Sequence, residues 1–468
     1  MPVKIISPVT RLNGFWRLDV KIENHRVVDA FSGGIFFRGL EKILLGRDPR
    51  DAVYLTERIC GICSTAHAMA ASLALEDAFY IEPPRNGIII RNLIFGADLL
   101  QNHIRHFYFL TVPDFAPGPD RPPFAPRYNS DFRLNSAQNR EIYENYMESI
   151  HMSRAAHDMV TIFGGKIPHN HGILAGGASA PPSGDSVRMF LSLLSRVREF
   201  IEQKMVKDAE TLAEVYDDYF KIGVGHKNIM AYGMFSHPDK KGEFYFKPGV
   251  IINGVREKLD RHSIEEHVKF SWYEEAPPLS PEEGSTQPDT DKPGAYSWVK
   301  APRYKGLAME VGPLARLIIS GDYPESYGTM DRILARVYEA RKVAELMEQW
   351  ALELEIGKPV FTPYDMPSEA EGMGMVEAMR GGLGHWLRVG GGRISHYQVI
   401  TPSAWDCSPR DDEGKRGPVE ESLVGTPVED PDQPVEVGRV ARSFDPCLAC
   451  AVHVIDARGK EKEIEILL

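Results

Sequence analysis

Four of the five cysteines fall into two Cys-x-x-Cys pairs, Cys60/Cys63 and Cys447/Cys450, and His453 follows the second pair at the same spacing. Each such turn brings two thiols near one point. Two turns together supply four thiolates, a soft donor set suited to zinc, an iron–sulfur cluster or a thiophilic transition metal. Two anonymous pairs are read equally well as a structural zinc site or as a cluster. A thioredoxin-like dithiol fits less well, because no βαβ pattern surrounds either pair. Cys407 is left over, and an odd count in tight pairs is not the pattern of a secreted disulfide scaffold.

The pairs stand at opposite ends of a 468-residue chain, so a shared site needs a fold that joins the ends. Residues 3–9 and 16–34 read as strands, with β-branched residues in rough alternation and a turn at Glu23-Asn24. After Asp51 the pattern turns helical: residues 63–80 are rich in Ala, Leu and Met, and residues 91–110 keep apolar side chains three and four apart. Proline-rich residues 112–128 break it. Long helices are expected over about 141–163, from about 186 past 215, and over about 329–355, with a Gly/Pro-rich loop at 164–185. Residues 274–302 read as a long surface loop, and short strand-like runs return from Leu387. The expected class is α+β and predominantly helical, a central long-helix bundle flanked by β-rich ends. One body is expected over 1–453: a β-rich part (1–50), a mainly helical part (51–386) and a C-terminal part with the second ligand pair (387–453). Val454–Leu468 is a short charged extension.

Composition narrows the function. Hydrophobic residues make up 43%, enough for a large core, and 54 Lys and Arg against 66 Asp and Glu leave a net charge of −12. That balance argues against nucleic acid as a partner, since phosphate binding needs a basic face. No basic segment followed by an apolar run opens the chain, and no apolar run reaches membrane-spanning length.

The flanks of the pairs are more specific than the pairs. "TERICGICSTAHAMAAS" and "SFDPCLACAVHVI" resemble the two signature motifs of the large, catalytic subunit of nickel–iron hydrogenases. "FFRGLEKILLGRDPRDA", "PRYKGLAMEVGPLAR", "EAMRGGLGHW" and "YQVITPSAWDCSPRD" resemble further blocks of that family, in its order and over nearly the whole chain. A related subunit of respiratory complex I has lost the metal cysteines, whereas all four are present here. The resemblance implies the hydrogenase large-subunit fold and the reversible heterolytic cleavage of H2 into protons and electrons. The motifs look closest to the uptake, respiratory-type branch. The alternative is an H2-sensing regulatory relative of low turnover.

By motif position the resemblance makes Cys60 and Cys447 terminal ligands of nickel, and Cys63 and Cys450 bridges to an iron that carries one CO and two cyanides. Arg380 and Ser403 would donate to the cyanides, while Leu383 and Pro402 would form an apolar wall for the CO. Arg380 would also hang over the open side of the metals beside Asp445, favouring charge separation when H2 splits. His67, four residues after Cys63, would donate to a bridging sulfur. Glu41, the backbone carbonyl of Val399 and His453 would hold a Mg²⁺ with waters.

Three positions depart from the family pattern. Asn13, in "RLNGFW", stands where the family has a glutamate that passes protons from a nickel thiolate outward, and an amide cannot ionise. Glu57 or His67 are then the candidates for another proton route. Met379 stands where a proline usually precedes the arginine, which predicts a looser Arg380. Asn102 stands where some relatives place an aspartate of the canopy over the metals.

The resemblance also supplies a meaning for the tail. Val454–Leu468 would be removed by a maturation endopeptidase after nickel-insertion factors have loaded the site, and the tail would keep Cys447 and Cys450 reachable until then. Sensor-type relatives lack such an extension. Electrons would leave through an iron–sulfur small subunit, in a heterodimer or a higher oligomer, because beyond the two pairs this chain has only Cys407, too few cysteines to hold a relay. His169 and His171, in "GGKIPHNHG", would face that partner. The expected location is cytoplasmic or membrane-associated, and periplasmic only through co-export with a signal-bearing small subunit.

Overall fold

Trp16, Leu18 and Val20 alternate with half-exposed neighbours, so residues Trp16–Glu23 form a strand with one buried face. It pairs antiparallel with Val3–Ile6 on one side and Arg26–Gly34 on the other. The computed structural model describes residues 3–125 and 131–451; the side chain of Cys450, His453 and the 454–468 extension lie outside the described residues.

The long helices are Arg85–Arg105, Ser136–Gly164, Gly184–Phe200 and Thr329–Leu352, packed around a largely helical core. Ser136–Gly164 shows how its face is chosen: Met152, Ala156, Met159 and Val160 recur at helical spacing and are all buried. Its start is fixed by a capping box, in which Asn135 accepts from the Ala137 and Gln138 N–H groups while Gln138 answers to the Asn135 N–H. The helix expected from 186 past 215 is interrupted by a π-turn at Ile201–Met205 before it resumes as Val206–Val215. A second π-turn, His106–Thr111, ends Arg85–Arg105.

Helix Ser64–Phe79 is buried almost all round, with Ala66, Ala70, Ala71 and Ala74 making it thin. That thinness lets a three-stranded antiparallel meander, Ala370–Ala378, Gly381–Gly390 and Arg393–Ile400, lie directly against it. Gly372 and Gly374 make the contact: a methyl at Gly374 would fall 2.0 Å from the Ala70 carbonyl oxygen, and one at Gly372 2.3 Å from that of Ala74.

Three sequence expectations are corrected. The 51–386 part is less helical than read. It holds short strands at Ile229–Ala231, Met234–Ser236, Phe244–Phe246, Gly249–Ile252, Val255–Glu257, Ile264–His267 and Ala301–Tyr304, and the last meander begins at Ala370 rather than near 387. Most of these strands span only three or four residues, too few to show a period of two. In the 387–453 part the strands stop at Ile400, and short helices follow at Pro402–Asp406, Pro418–Leu423, Val435–Ser443 and Leu448–Ala451. The 274–302 loop dips into the core: Thr286, Ser297, Val299 and Lys300 are buried, and Trp298 stacks on Phe37 at 4.3 Å between ring centroids. No described helix is long and apolar enough to cross a membrane.

Candidate metal centre

The two ends of the chain meet at sulfur. Residues Glu57–Ile59 form a 3₁₀ turn that delivers Cys60, and Cys63 stands at the N-cap of Ser64–Phe79. Cys447 arrives from the other end, after Asp445 turns the chain in a left-handed conformation (φ 54°). A parallel bridge between Asn13 and Cys447 and the Ala449 N–H donating to the Asn13 carbonyl (3.3 Å) dock this segment on the N-terminal loop. The Sγ atoms of Cys60, Cys63 and Cys447 lie within 4.8 Å of one another, and all three residues are buried. Cys60 and Cys447 sulfurs are 3.4 Å apart, far beyond the ~2.05 Å of a disulfide bond. Three buried thiols converging in this way suit a soft, thiolate-bound metal.

A buried guanidinium balances their charge. Ala378 pairs with Gly381, so Met379 and Arg380 form a two-residue hairpin tip. Gly381 takes φ 135° there, and a methyl on it would strike Val311 at 2.4 Å. Arg380 Nε donates to the Asp445 carbonyl (2.8 Å) and an Nη to its carboxylate (3.1 Å). Burial opposes its charge, but Asp445 and the Cys447, Cys63 and Cys60 thiols hold its pKa above the ordinary arginine value. Asn102, with its amide turned to suit its neighbours, accepts from Arg380 at 3.0 and 3.2 Å and donates to Asp445 at 3.1 Å. It thus bridges the pair without adding charge. The looser Arg380 expected from Met379 is not what the packing provides. Met379 is fully buried, and Arg316 donates to the carbonyls of Ala378 (2.9 Å) and Met379 (3.0 Å). The hairpin tip is anchored from behind.

Asn13 is placed where the missing glutamate matters. Its Nδ2 donates to Cys60 Sγ (3.4 Å) and to Cys447 Sγ (3.3 Å). The amide cannot carry a proton away, but it hydrogen-bonds two thiols at once. Glu57, fully buried, accepts a hydrogen bond from Arg58 at 3.1 Å, and the Arg58 side chain is 43% exposed, so the pair reaches the surface. Burial pushes the Glu57 carboxyl up to about 8, against the pull of Arg58. Asn170 Nδ2 donates to Glu57 (3.4 Å) and to the Thr65 hydroxyl (3.3 Å), and Thr65 in turn hydrogen-bonds Asp98. Burial raises Asp98 to about 6, while Thr65, Arg105 and Arg380 pull it down.

Ser403 accepts the Cys447 N–H at 2.8 Å, and Pro402 begins the same short helix. Leu383 is buried three residues beyond Arg380 on its strand. His67 is buried one helical turn after Cys63, with Nδ1 3.1 Å from His385 Nε2. Glu41 and Val399 meet, although through the Val399 N–H, which donates to Glu41 at 3.0 Å. Thr286 donates to the other Glu41 oxygen. His169 packs against Ser64 through its backbone N–H (3.0 Å) and is half-buried, whereas His171 is exposed beside Tyr54. Cys407 is core: fully buried, its thiol is pushed well up by burial.

Sequence reasoning passed over Asp98, Asn170, His385 and Tyr397. Asp98 carried a signal, a carboxylate inside the apolar run "RNLIFGADLL", one helical turn before Asn102. His385 lay within a quoted block. Tyr397 and Asn170 also lay within quoted blocks, "YQVITPSAWDCSPRD" and "GGKIPHNHG", but nothing local singled them out there, since their roles follow from tertiary contacts.

Comparison with known proteins agrees with this geometry. The family model of nickel-dependent hydrogenases matches residues 38–118, 118–327 and 322–453. The chain is 40% identical to the periplasmic [NiFeSe] hydrogenase large subunit of Desulfomicrobium baculatum, over 99% of this chain and 97% of that one. It is 33% identical to the hydrogenase-2 large chain of Escherichia coli, over 97% and 98% of the two chains. The solved Ni-Fe-Se hydrogenase of D. vulgaris Hildenborough superposes with a TM-score of 0.94 at 42% identity, covering 97% of this chain and all of that one. Selenium appears in the names of two of these three relatives, whereas this sequence has cysteine at all four candidate ligand positions. The chain belongs to the nickel-dependent hydrogenase family, as a large subunit with the catalytic, H2-activating site.

Proposed function

We propose that this hydrogenase works in the direction of H2 uptake and passes its electrons to a small subunit that carries iron–sulfur clusters. The observation that carries the reading is the meeting of Cys60, Cys63 and Cys447 beneath the buried Arg380. When bound, a nickel–iron centre supplies the redox site at which H2 divides heterolytically. Cys60, Cys63, Cys447 and Cys450 would hold that centre. Arg380 and Ser403 would donate to cyanide ligands of the centre, and Leu383 and Pro402 would offer an apolar wall to a CO. Arg380 keeps its charge, with Asp445 as its fixed counter-ion, so the site is preorganised for charge separation. Glu41, the Val399 carbonyl and His453 would hold a Mg²⁺.

Protons leave through Glu57. Its carboxyl is neutral below about pH 8, so near neutrality it accepts and releases a proton within a small pH interval. Asp98, Thr65 and Asn170 connect it inward toward Arg380, and Arg58 connects it to solvent. Asn13 donates to the Cys60 and Cys447 sulfurs as a neutral group.

The small subunit docks on the face that carries His169 and His171. The extension 454–468 is removed by a maturation endopeptidase after nickel-insertion factors have acted. Co-export with a signal-bearing small subunit is favoured by the periplasmic relative. A sensor reading has no observation in its favour. Elemental analysis and infrared spectroscopy of the purified heterodimer test the proposal. Nickel and iron in equal amounts with CO and cyanide bands are expected; zinc alone defeats it.

A further inference from the structure

His67 ends a buried chain of three rings. Tyr397 Oη lies 2.8 Å from His385 Nδ1, and His385 Nε2 lies 3.1 Å from His67 Nδ1. All three residues are at most 2% exposed. Tyr397 and His385 belong to neighbouring strands, Gly381–Gly390 and Arg393–Ile400, while His67 belongs to the helix beneath them. The chain therefore runs across the interface between meander and helix.

The direction of these hydrogen bonds follows from what each atom can do. A tyrosine hydroxyl ordinarily keeps its proton near neutral pH. A buried hydroxyl that fails to donate costs about 1–3 kcal/mol. His385 Nδ1 is the partner in reach, so Tyr397 donates and that nitrogen accepts. A neutral imidazole accepting at Nδ1 carries its hydrogen on Nε2. His385 Nε2 then donates to His67 Nδ1, which accepts, and the hydrogen of His67 is placed on Nε2. We propose that Tyr397 and His385 are positioning residues that hold His67 in the Nε2–H tautomer, so that it presents a donor to a bridging thiolate of the metal centre. The inference rests on the reading of His67 as a sulfur donor. Neither Tyr397 nor His385 touches the metals; they act through the ring of His67, as outer partners of ligands commonly do.

The heterodimeric holoenzyme tests this by infrared spectroscopy of the CO and cyanide bands, which report electron density at the iron, together with H2 oxidation kinetics. Tyr397→Phe removes one hydroxyl and leaves the ring. The expected result is a band shift in the same direction as that of His67→Ala, and a fall in kcat of roughly tenfold, the lower end for lost outer partners, with KM for H2 unchanged. His385→Gln, whose amide donates to His67 Nδ1, should restore the bands, whereas His385→Leu should not. Unmoved bands in Tyr397→Phe beside shifted bands in His67→Ala would overturn the relay and leave the sulfur contact standing. Unmoved bands in His67→Ala would remove the contact on which both depend. Thermal melting of each variant separates a tautomer effect from a loss of fold.

Discussion

Asn13 replaces an acid with an amide at an atom that touches two of the candidate ligands, so its effect is chemical rather than steric. If protons leave through Glu57, Asn13→Glu should change H/D exchange activity little. A gain on the order of a hundredfold, the scale of general acid–base catalysis, would show that protons stall at position 13 in the natural chain. Glu57→Gln should lower exchange while leaving the metal content intact. Its stability has a predictable pH dependence. Burial raises the folded-state Glu57 pKa from 4.5 to about 8, so between those values the folded state binds more protons than the unfolded one. Stability from this group therefore falls as pH rises through that window. Thermal melting between pH 5 and 8 should fall less steeply in Glu57→Gln than in the natural protein, in buffers at about those values. Equal slopes would mean that the carboxyl is ionised throughout.

At the scale of elements, the site depends on one hairpin held against one helix. Gly372 and Gly374 let backbone meet backbone, so Gly374→Val pushes the meander off Ser64–Phe79. The cost expected is at least ~1–3 kcal/mol, as for other overpacked interiors, and the displacement separates Arg380 from Asp445. A denaturant midpoint and the infrared bands should move together. Arg316 anchors the same hairpin from behind, through Glu339 at 2.7 Å, Glu377 at 2.6 Å and two carbonyls. Arg316→Ala strands two buried carboxylates, and breaking such a network typically costs ~3–5 kcal/mol. An unchanged melting profile for that variant would contradict the assignment of Arg316 as the anchor.

At the scale of the whole molecule, the metal centre is a closure between chain ends. The N-terminal loop passes Asn13 and Gly14 against Cys447–Ala449, and Gly14 takes φ 96°. A methyl on Gly14 would lie 2.2 Å from the Ala449 backbone nitrogen and 2.8 Å from the Leu448 carbonyl carbon. Gly14→Ala should keep the helical body folded but hold the last segment away. The expected signs are lost nickel, normal far-UV circular dichroism and a chain that keeps its C-terminal extension. Intact mass of the loaded enzyme separately tests the extension: an active, nickel-loaded chain of full length would defeat its removal.

Much of the chemistry was legible in the residues alone. Two Cys-x-x-Cys pairs with their flanks pointed to the candidate ligands, of which Cys60, Cys63 and Cys447 converge, and "EAMRGGLGHW" pointed to Arg380, because spacing and residue type survive in one dimension. Asn13 was legible as a departure, but its two sulfur contacts were not. The alternation in 16–34 and the helical spacing in 136–164 were readable because each element is long and buries one face. The short strands between 229 and 267 escaped because three or four residues carry no period. Tertiary structure alone decided that Arg380 sits at a hairpin tip, that Asp98 joins Glu57 through Thr65 and Asn170, and that Tyr397 reaches His67 through His385. Each of these rests on a side chain meeting another from a distant part of the chain, and the identity of such a neighbour is a property of packing that no local pattern records.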